Sequence, residues 1–179
     1  MKRNIGAIAL ASVILMVIAG VTTALLAGTN ALTKDTIAQR SEQAENEARL
    51  QVLAADSFEK ASVTVDGESI TYYKGVKGGK TAGYVFTVTS SGKSAGLVVM
   101  TGVDTAGAVT GVAVTDNNET AGYVEKVEKG GLLAALDGKT AVDGVDTISQ
   151  ATKTSKGILH GVEQALAVYQ AIVGGDSHE

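Results

Sequence analysis

Gly83-Tyr84-Val85-Phe86-Thr87-Val88-Thr89 alternates along its length. Tyr84, Phe86 and Val88 fall on one side of an extended chain, and Val85 and Thr87 on the other. Turn signals bound the run: Lys77-Gly78-Gly79-Lys80 before it and Ser90-Ser91-Gly92-Lys93 after it. Leu97 to Val103 then reads as a buried strand. Asp104-Thr105-Ala106-Gly107 makes the next turn, and Ala108 to Thr115 supplies a partner. Upstream, Ser62 to Val65 and Ser69 to Val76 flank the turn signal Asp66-Gly67. Connections this short join antiparallel neighbours, so the block is an antiparallel meander. A helical pattern precedes it and others follow, which makes the class α+β.

After the last strand comes the polar loop Asp116-Asn117-Asn118-Glu119-Thr120-Ala121-Gly122-Tyr123, which on local chemistry is a loop with a helix start. Val124 to Leu136 is helical with a break at Gly130-Gly131, and Asp137-Gly138-Lys139 ends it. Val142 to Val145 leads into Asp146-Thr147-Ile148-Ser149-Gln150-Ala151-Thr152-Lys153-Thr154-Ser155. That stretch gathers hydroxyls at Thr147, Ser149, Thr152, Thr154 and Ser155 beside the Asp146 carboxylate. Behind it, Ile158, Val162, Ala165, Leu166, Tyr169 and Ile172 recur at three- and four-residue spacing, the signature of one apolar helix face. This helix is expected from about Ser155 to Val173, with Gly174-Gly175-Asp176-Ser177 as its stop. A hydroxyl cluster at a helix start suits a phosphate, because unpaired N–H groups and the positive end of the helix dipole meet there. The same residues also suit plain capping by Thr154 or Ser155.

Toward the N-terminus, no charged side chain occurs between Arg3 and Lys34, and Ile5 to Gly28 is almost continuously apolar. At about 1.5 Å per residue such a helix crosses the roughly 30 Å hydrocarbon core of a bilayer. A cleaved signal peptide is the other reading, with Thr29-Asn30-Ala31 as a loose cleavage site; the length of the run favours an uncleaved anchor. Lys2 and Arg3 precede it, which by the positive-inside rule puts the N-terminus in the cytoplasm and the remaining domain on the extracytoplasmic side. Thr33 to Ala55 reads as a polar helix, with a cap signal at Thr33-Lys34-Asp35 and a thin apolar face of Ile37, Ala44, Ala48, Val52 and Leu53. It serves as a stalk continuing the anchor, as a packing surface for a neighbouring membrane subunit, or as a solvated linker. The domain expectation is therefore an anchor over 1–32, a juxtamembrane helix over 33–55 and a globular domain over 56–179.

Composition excludes several chemistries. The 179 residues contain no Cys, which removes disulfides, thiolate metal sites, iron–sulfur clusters and Cys nucleophiles. The two His are His160, expected as a partly buried filler in the last helix, and His178, near the tail, so no metal site is expected. The net charge of −4 argues against nucleic acid as a partner. Neither a dinucleotide-binding GxGxxG after a strand nor a P-loop is present.

Asp146, Ser149, Ala151 and Thr152 resemble the flavinylation motif of the FMN-binding domain family, in which an Asp is followed at short spacing by Ser/Thr-Gly-Ala-Thr. Thr154-Ser155 also fits, whereas Gln150 stands where the family usually has Gly. The Glu119 loop is similar to the family's Glu-Thr-Pro-Gly-Leu-Gly loop, which lies against the isoalloxazine ring. Glu119, Thr120 and Gly122 match; Ala121 replaces Pro and Tyr123 replaces Leu. The strands from Gly83-Tyr84-Val85-Phe86 to Gly111-Val112-Ala113-Val114 resemble the family's central strands.

The resemblance implies that Thr152 carries FMN through a phosphoester. A flavin transferase using FAD would recognise Asp146, Ser149, Ala151 and Thr152. Ser149, Gln150, Ala151, Lys153 and Thr154, with Glu119, Thr120, Ala121, Gly122 and Tyr123, would line the cofactor site. If Gly is needed at position 150 for positive φ, Gln150 strains the turn. A Tyr at 123 could stack on the flavin. The family includes the G subunits of Rnf complexes and the C subunit of the Na+-translocating NADH:quinone oxidoreductase. The implied role is an electron-carrying subunit of a membrane-bound Rnf-type complex that couples ferredoxin oxidation and NAD+ reduction to Na+ or H+ transport. Its partners would be the other membrane and peripheral subunits. It would be a relay rather than an enzyme alone, with no catalytic residue of its own. The alternatives are an extracytoplasmic FMN-bearing carrier or reductase domain outside an ion pump, and a non-redox membrane-anchored scaffold with Thr152 unmodified.

Overall fold

The computed structural model describes residues 5–65 and 67–175. Lys2 and Arg3, Asp66 of the Asp66-Gly67 turn, and Asp176, Ser177 and His178 lie outside the described residues, as do the side chains of Thr33, Asp35 and Ile37. The chain divides into two compact units after Ala44.

Helix α1 runs Ile5–Val52. The cap signal at Thr33-Lys34-Asp35 does not interrupt it, so the polar helix continues the apolar one. Within α1, Ser12–Asn30 is long and apolar enough to cross a membrane, with a mean hydropathy of 2.0 and none of its surface buried within the protein. Val13, Leu15, Ile18 and Leu26 are all exposed. A helix apolar on every side needs a non-aqueous surrounding. The hydroxyls of Thr22, Thr23 and Thr29 each bond the carbonyl four residues back, which satisfies them without water.

Five strands follow: β1 (Ser57–Val65), β2 (Glu68–Lys77), β3 (Lys80–Ser91), β4 (Ala95–Asp104) and β5 (Val109–Asp116). Each pairs antiparallel with the next, giving one sheet in the order β1-β2-β3-β4-β5, the expected meander. Short helices α2 (Tyr123–Lys129) and α3 (Leu132–Ala135) follow, separated at Gly130-Gly131 as anticipated. Helix α4 spans Thr152–Gly175 and begins three residues earlier than expected.

The two sheet faces are covered by different elements. On one face, Phe86, Leu97, Val99 and Val103 pack with Ile158, Val162, Ala165, Leu166, Tyr169 and Ile172, so the whole predicted face of α4 is buried. On the other, Val52 and Leu53 at the end of α1 cover Val85 and Met100. β4 is therefore buried on both sides, which explains its continuous apolar sequence. The paired glycines Gly102 and Gly111 make room for the α1 end. A Cβ on Gly102 would collide with the Val52 carbonyl oxygen. Thr110 donates its hydroxyl to that same oxygen. Just before, the Arg49 guanidinium lies 3.7 Å from the Tyr73 ring centroid and pairs with Glu45 at 2.6 Å.

At the far end of α4, the Tyr169 hydroxyl donates to the Thr105 carbonyl at 2.8 Å, and its ring meets Tyr84 edge-on. Burial, then the neighbouring Tyr84 and Asp104, raise its pKa above the usual tyrosine value.

His160 departs from expectation. It is exposed and lies 3.6 Å from Glu163. Two residues on from Ile158, it is turned about 200° around the helix, away from the apolar face.

Candidate functional site

Three segments converge at the N-terminus of α4: the β3–β4 turn, the loop from Asp116 into α2, and the turn Ile148–Ala151. In the last, the Ala151 N–H donates to the Ile148 carbonyl at 3.0 Å, and Gln150 has φ 65°. With Ser149 at ordinary negative φ, this is the sign pattern of a type II turn, whose third position favours Gly. Gln150 is the one non-glycine residue at positive φ among the described residues. Position 150 therefore demands the left-handed conformation, at a cost of about 1–2 kcal/mol for a side chain-bearing residue. Part of that cost is offset locally, because the Gln150 side-chain oxygen accepts a 2.7 Å hydrogen bond from Lys126 Nζ on α2.

The hydroxyls sort into two kinds. Ser155 is fully buried; its Oγ donates to the Ala151 carbonyl at 3.0 Å and accepts from the Ile148 N–H at 3.1 Å, closing the turn onto the helix. Thr154 is also buried, and its hydroxyl donates to Glu119 Oε2 at 2.8 Å. Neither is the N-cap, since both lie inside the first turn and the preceding residue is Ala151. Simple capping thus does not account for them. Thr152 differs: it is exposed, at the very start of the helix. The first intrahelical bond is Ser155 N–H to the Ala151 carbonyl, 2.9 Å. The amides of Thr152, Lys153 and Thr154 precede it and have no intrahelical acceptor.

A cleft of about 280 Å³ opens beside Thr152. Gln150, Ala151, Lys153 and Thr154 form one wall, and Lys93 and Tyr123 the other. Lys93 Nζ sits 4.8 Å from the Tyr123 ring centroid. A second groove, lined by Gly122, Lys126, Ser149 and Gln150, lies along α2, and Ala121 joins Gly122 and Tyr123 at a smaller recess.

Most of the residues implied by the resemblance therefore meet at one place. Six do not border the Thr152 cleft itself: Ser149, Ala121 and Gly122 line the adjoining groove and recess, and Glu119, Thr120 and Asp146 point elsewhere. Glu119 turns both carboxylate oxygens inward, to Thr154 and to the Ser94 N–H at 2.8 Å. Thr120 is exposed and accepts the Tyr123 N–H at its carbonyl. Asp146 lines a separate cavity with Lys139 and Gly144. Two residues that sequence reasoning missed, Lys93 and Lys126, complete the surroundings. Lys93 looked like part of an ordinary turn, and its contact with Tyr123 is visible only once the strands pair.

The donor set fits a flavin mononucleotide. A phosphate at Thr152 would meet helix amides and the cations Lys93 and Lys153, and Tyr123 offers an aromatic face.

Comparison with known proteins agrees. Residues 1–52 match the family described as RnfG N-terminal region, and residues 92–167 match the FMN-binding domain. Over 88% of this chain, and 89% of its own length, the G subunit of the Na+-translocating ferredoxin:NAD+ oxidoreductase complex of Acetobacterium woodii is 31% identical. The chain belongs to the RnfG family. A further relative, the G subunit of the proton-translocating ferredoxin:NAD+ oxidoreductase complex of Clostridium ljungdahlii, is 26% identical over 84% of this RnfG-family chain and 85% of its own. The FMN-binding match spans the Glu119 loop, the 148–151 turn and most of α4, so it covers the elements that build the cleft.

Proposed function

We propose that this chain is the covalent-FMN electron-transfer subunit of a membrane-bound Rnf-type complex. Family membership carries the subunit assignment, and the exposed Thr152 hydroxyl at the head of α4 carries the covalent one. Thr152 Oγ forms an ester bond to the flavin-side phosphorus of FAD; the pyrophosphate P–O bond breaks, AMP departs, and the hydroxyl proton is released. A flavin transferase directs this step, reading Asp146, Ser149, Ala151 and Thr152. Asp146, Ser149 and Thr152 are all exposed and within reach of such an enzyme, while Ala151 is buried. Gln150 is compatible with modification, because the left-handed turn forms with Gln in place.

Bound flavin supplies one- and two-electron redox chemistry, and the chain supplies its position and electrostatics. The first-turn amides, with Lys93 and Lys153, stabilise the phosphodiester charge. Lys126, held by Gln150, adds positive charge along the neighbouring groove. Tyr123 presents its ring to the cleft. With no Cys in the chain, electrons enter and leave through the other subunits. The complex couples ferredoxin oxidation and NAD+ reduction to Na+ or H+ transport. Residues 1–32 anchor the chain in the membrane, 33–55 form the juxtamembrane segment, helical as far as Val52, and 56–179 the FMN domain. Lys2 and Arg3 favour a cytoplasmic N-terminus, which puts the FMN domain on the extracytoplasmic side.

The test is intact mass of the chain from its native host, with peptide mapping. A gain of one FMN less water on the Thr152 peptide is expected. An unmodified chain in cells with active flavin transferase would leave the scaffold alternative.

A further inference from the structure

We infer that Glu119 is a positioning residue: its carboxylate ties the β3–β4 turn to the first turn of α4, and so holds Lys93 and Tyr123 in place across the cleft that Thr152 lines. The importance of that arrangement for flavin rests on the function proposed above; the arrangement itself does not.

The geometry is that of a clamp. Glu119 Oε1 accepts the Ser94 N–H at 2.8 Å, and Oε2 accepts the Thr154 hydroxyl at 2.8 Å. Each tether ends close in sequence to a residue of the cleft. Ser94 follows Lys93, Thr154 is two residues from Thr152, and Glu119 itself is four residues before Tyr123. The loop presents the carboxylate in a set orientation, because the Glu119 N–H is held by the Asn117 side chain at 3.1 Å and the Asn117 N–H by Asp116 at 2.8 Å.

The turn and the helix are packed too closely to slide. A Cβ on Gly92 would lie 2.7 Å from Glu119 Oε1 and 3.1 Å from Thr154 Cα. A Cβ on Gly157 would lie 2.9 Å from Gly92 Cα. The Ser90 hydroxyl closes the far side of the contact by donating to the Gly157 carbonyl at 2.8 Å. Glu119 is the charged group in this seam, and hydrogen bonds to an ionised acceptor are stronger than neutral ones. Loss of the carboxylate leaves the hydroxyl of Thr154, a residue only 1% exposed, without its acceptor.

The inward aim also suits the cleft electrostatically. A carboxylate facing the cleft would repel a phosphodiester. Turned away and bonded to two donors, Glu119 leaves the wall to Lys93 and Lys153.

The test uses the full chain in detergent micelles, before and after flavin loading. In the flavin-free wild type, the Tyr123 ring shifts the Lys93 ε-methylene protons upfield in the NMR spectrum. In Glu119→Ala that shift is expected to fall by at least half, and the flavin-bearing fraction in the native host, read by intact mass, at least fivefold. Glu119→Gln can keep both tethers, its amide oxygen accepting from Ser94 and its N–H donating to Thr154, and is expected to restore both readouts. Thr154→Val removes one tether without a cavity and gives an intermediate shift; it carries the test if Glu119→Ala does not fold. Wild-type shifts in both Glu119→Ala and Thr154→Val overturn the inference. So does a Glu119→Gln chain no better than Glu119→Ala, which would make the charge, not the tether, the active element. A wild type that takes no flavin removes the functional proposal but leaves the NMR comparison to decide the role of Glu119.

Discussion

The first turn of α4 and the rest of that helix are built on different physics. From Ile158 to Ile172 the helix is placed by area: seven of its apolar side chains are buried in the core it shares with one sheet face. From Thr152 to Ser155 it is placed by individual hydrogen bonds, Thr154 to Glu119 and Ser155 to the Ile148–Ala151 turn, while Thr152 is left exposed. The contrast teaches that the fold and the site are separable. Burial worth roughly 25 cal/mol per Å² anchors the helix, whereas a few bonds of about 1 kcal/mol each aim its tip.

The strongest challenge to that separation is Ile158→Ala. Ile158 is fully buried at the junction of the two regions, and its truncation is expected to cost about 2–5 kcal/mol in chemical denaturation. A loss under about 1 kcal/mol would mean that area does not place this helix.

Gly102→Ala probes the opposite face of the sheet. The new methyl would collide with the Val52 carbonyl, so a loss of about 1–3 kcal/mol is expected, with faster proteolysis near residues 45–55. Unchanged cleavage there would show that the α1 end is not held by the glycine pair.

Alkaline pH addresses the distal end of α4. The folded-state pKa of Tyr169 is raised, so the stabilisation it gives is complete below the ordinary tyrosine pKa of about 10 and is lost as pH rises through the folded value. Melting temperature should therefore fall more steeply above that pH in the wild type than in Tyr169→Phe. Parallel curves would refute the assignment.

At the turn, Gln150→Gly relieves about 1–2 kcal/mol of left-handed strain and adds about 0.5–1 kcal/mol of chain entropy cost. A small net stabilisation of about 0.5 kcal/mol follows, with flavin loading no lower than wild type. Destabilisation would mean that the Lys126 bond outweighs the strain.

The smallest effect on stability and the most complete effect on function belong to one residue. Thr152→Ala is expected to change stability by under about 0.5 kcal/mol, because the side chain is exposed, and to abolish the covalent flavin mass. Retained covalent flavin would move the attachment to another hydroxyl.

Much of this was legible in local pattern. The alternation in β3, the turn signals between strands and the apolar spacing of α4 depend on neighbours within a few residues, where a period of 2 or 3.6 leaves its mark. The resemblance around Thr152 likewise rests on a short contiguous motif. The start of α4 was less legible, because Ala151 is a poor cap and the helix is begun by the buried Ser155 bonds instead.

Sequence alone determined the meander, the apolar run through α1, the buried face of α4 and the hydroxyl at Thr152. Only the tertiary structure decided which hydroxyl faces the cleft, where Glu119 directs its two oxygens, and that Lys93 and Lys126 join the site. Those contacts link residues 24 to 35 positions apart, as between Lys126 and Gln150 or Glu119 and Thr154. Periodicity records which face of an element is buried. It does not record which side chain of another element will meet it there, since that depends on strand register and helix packing together.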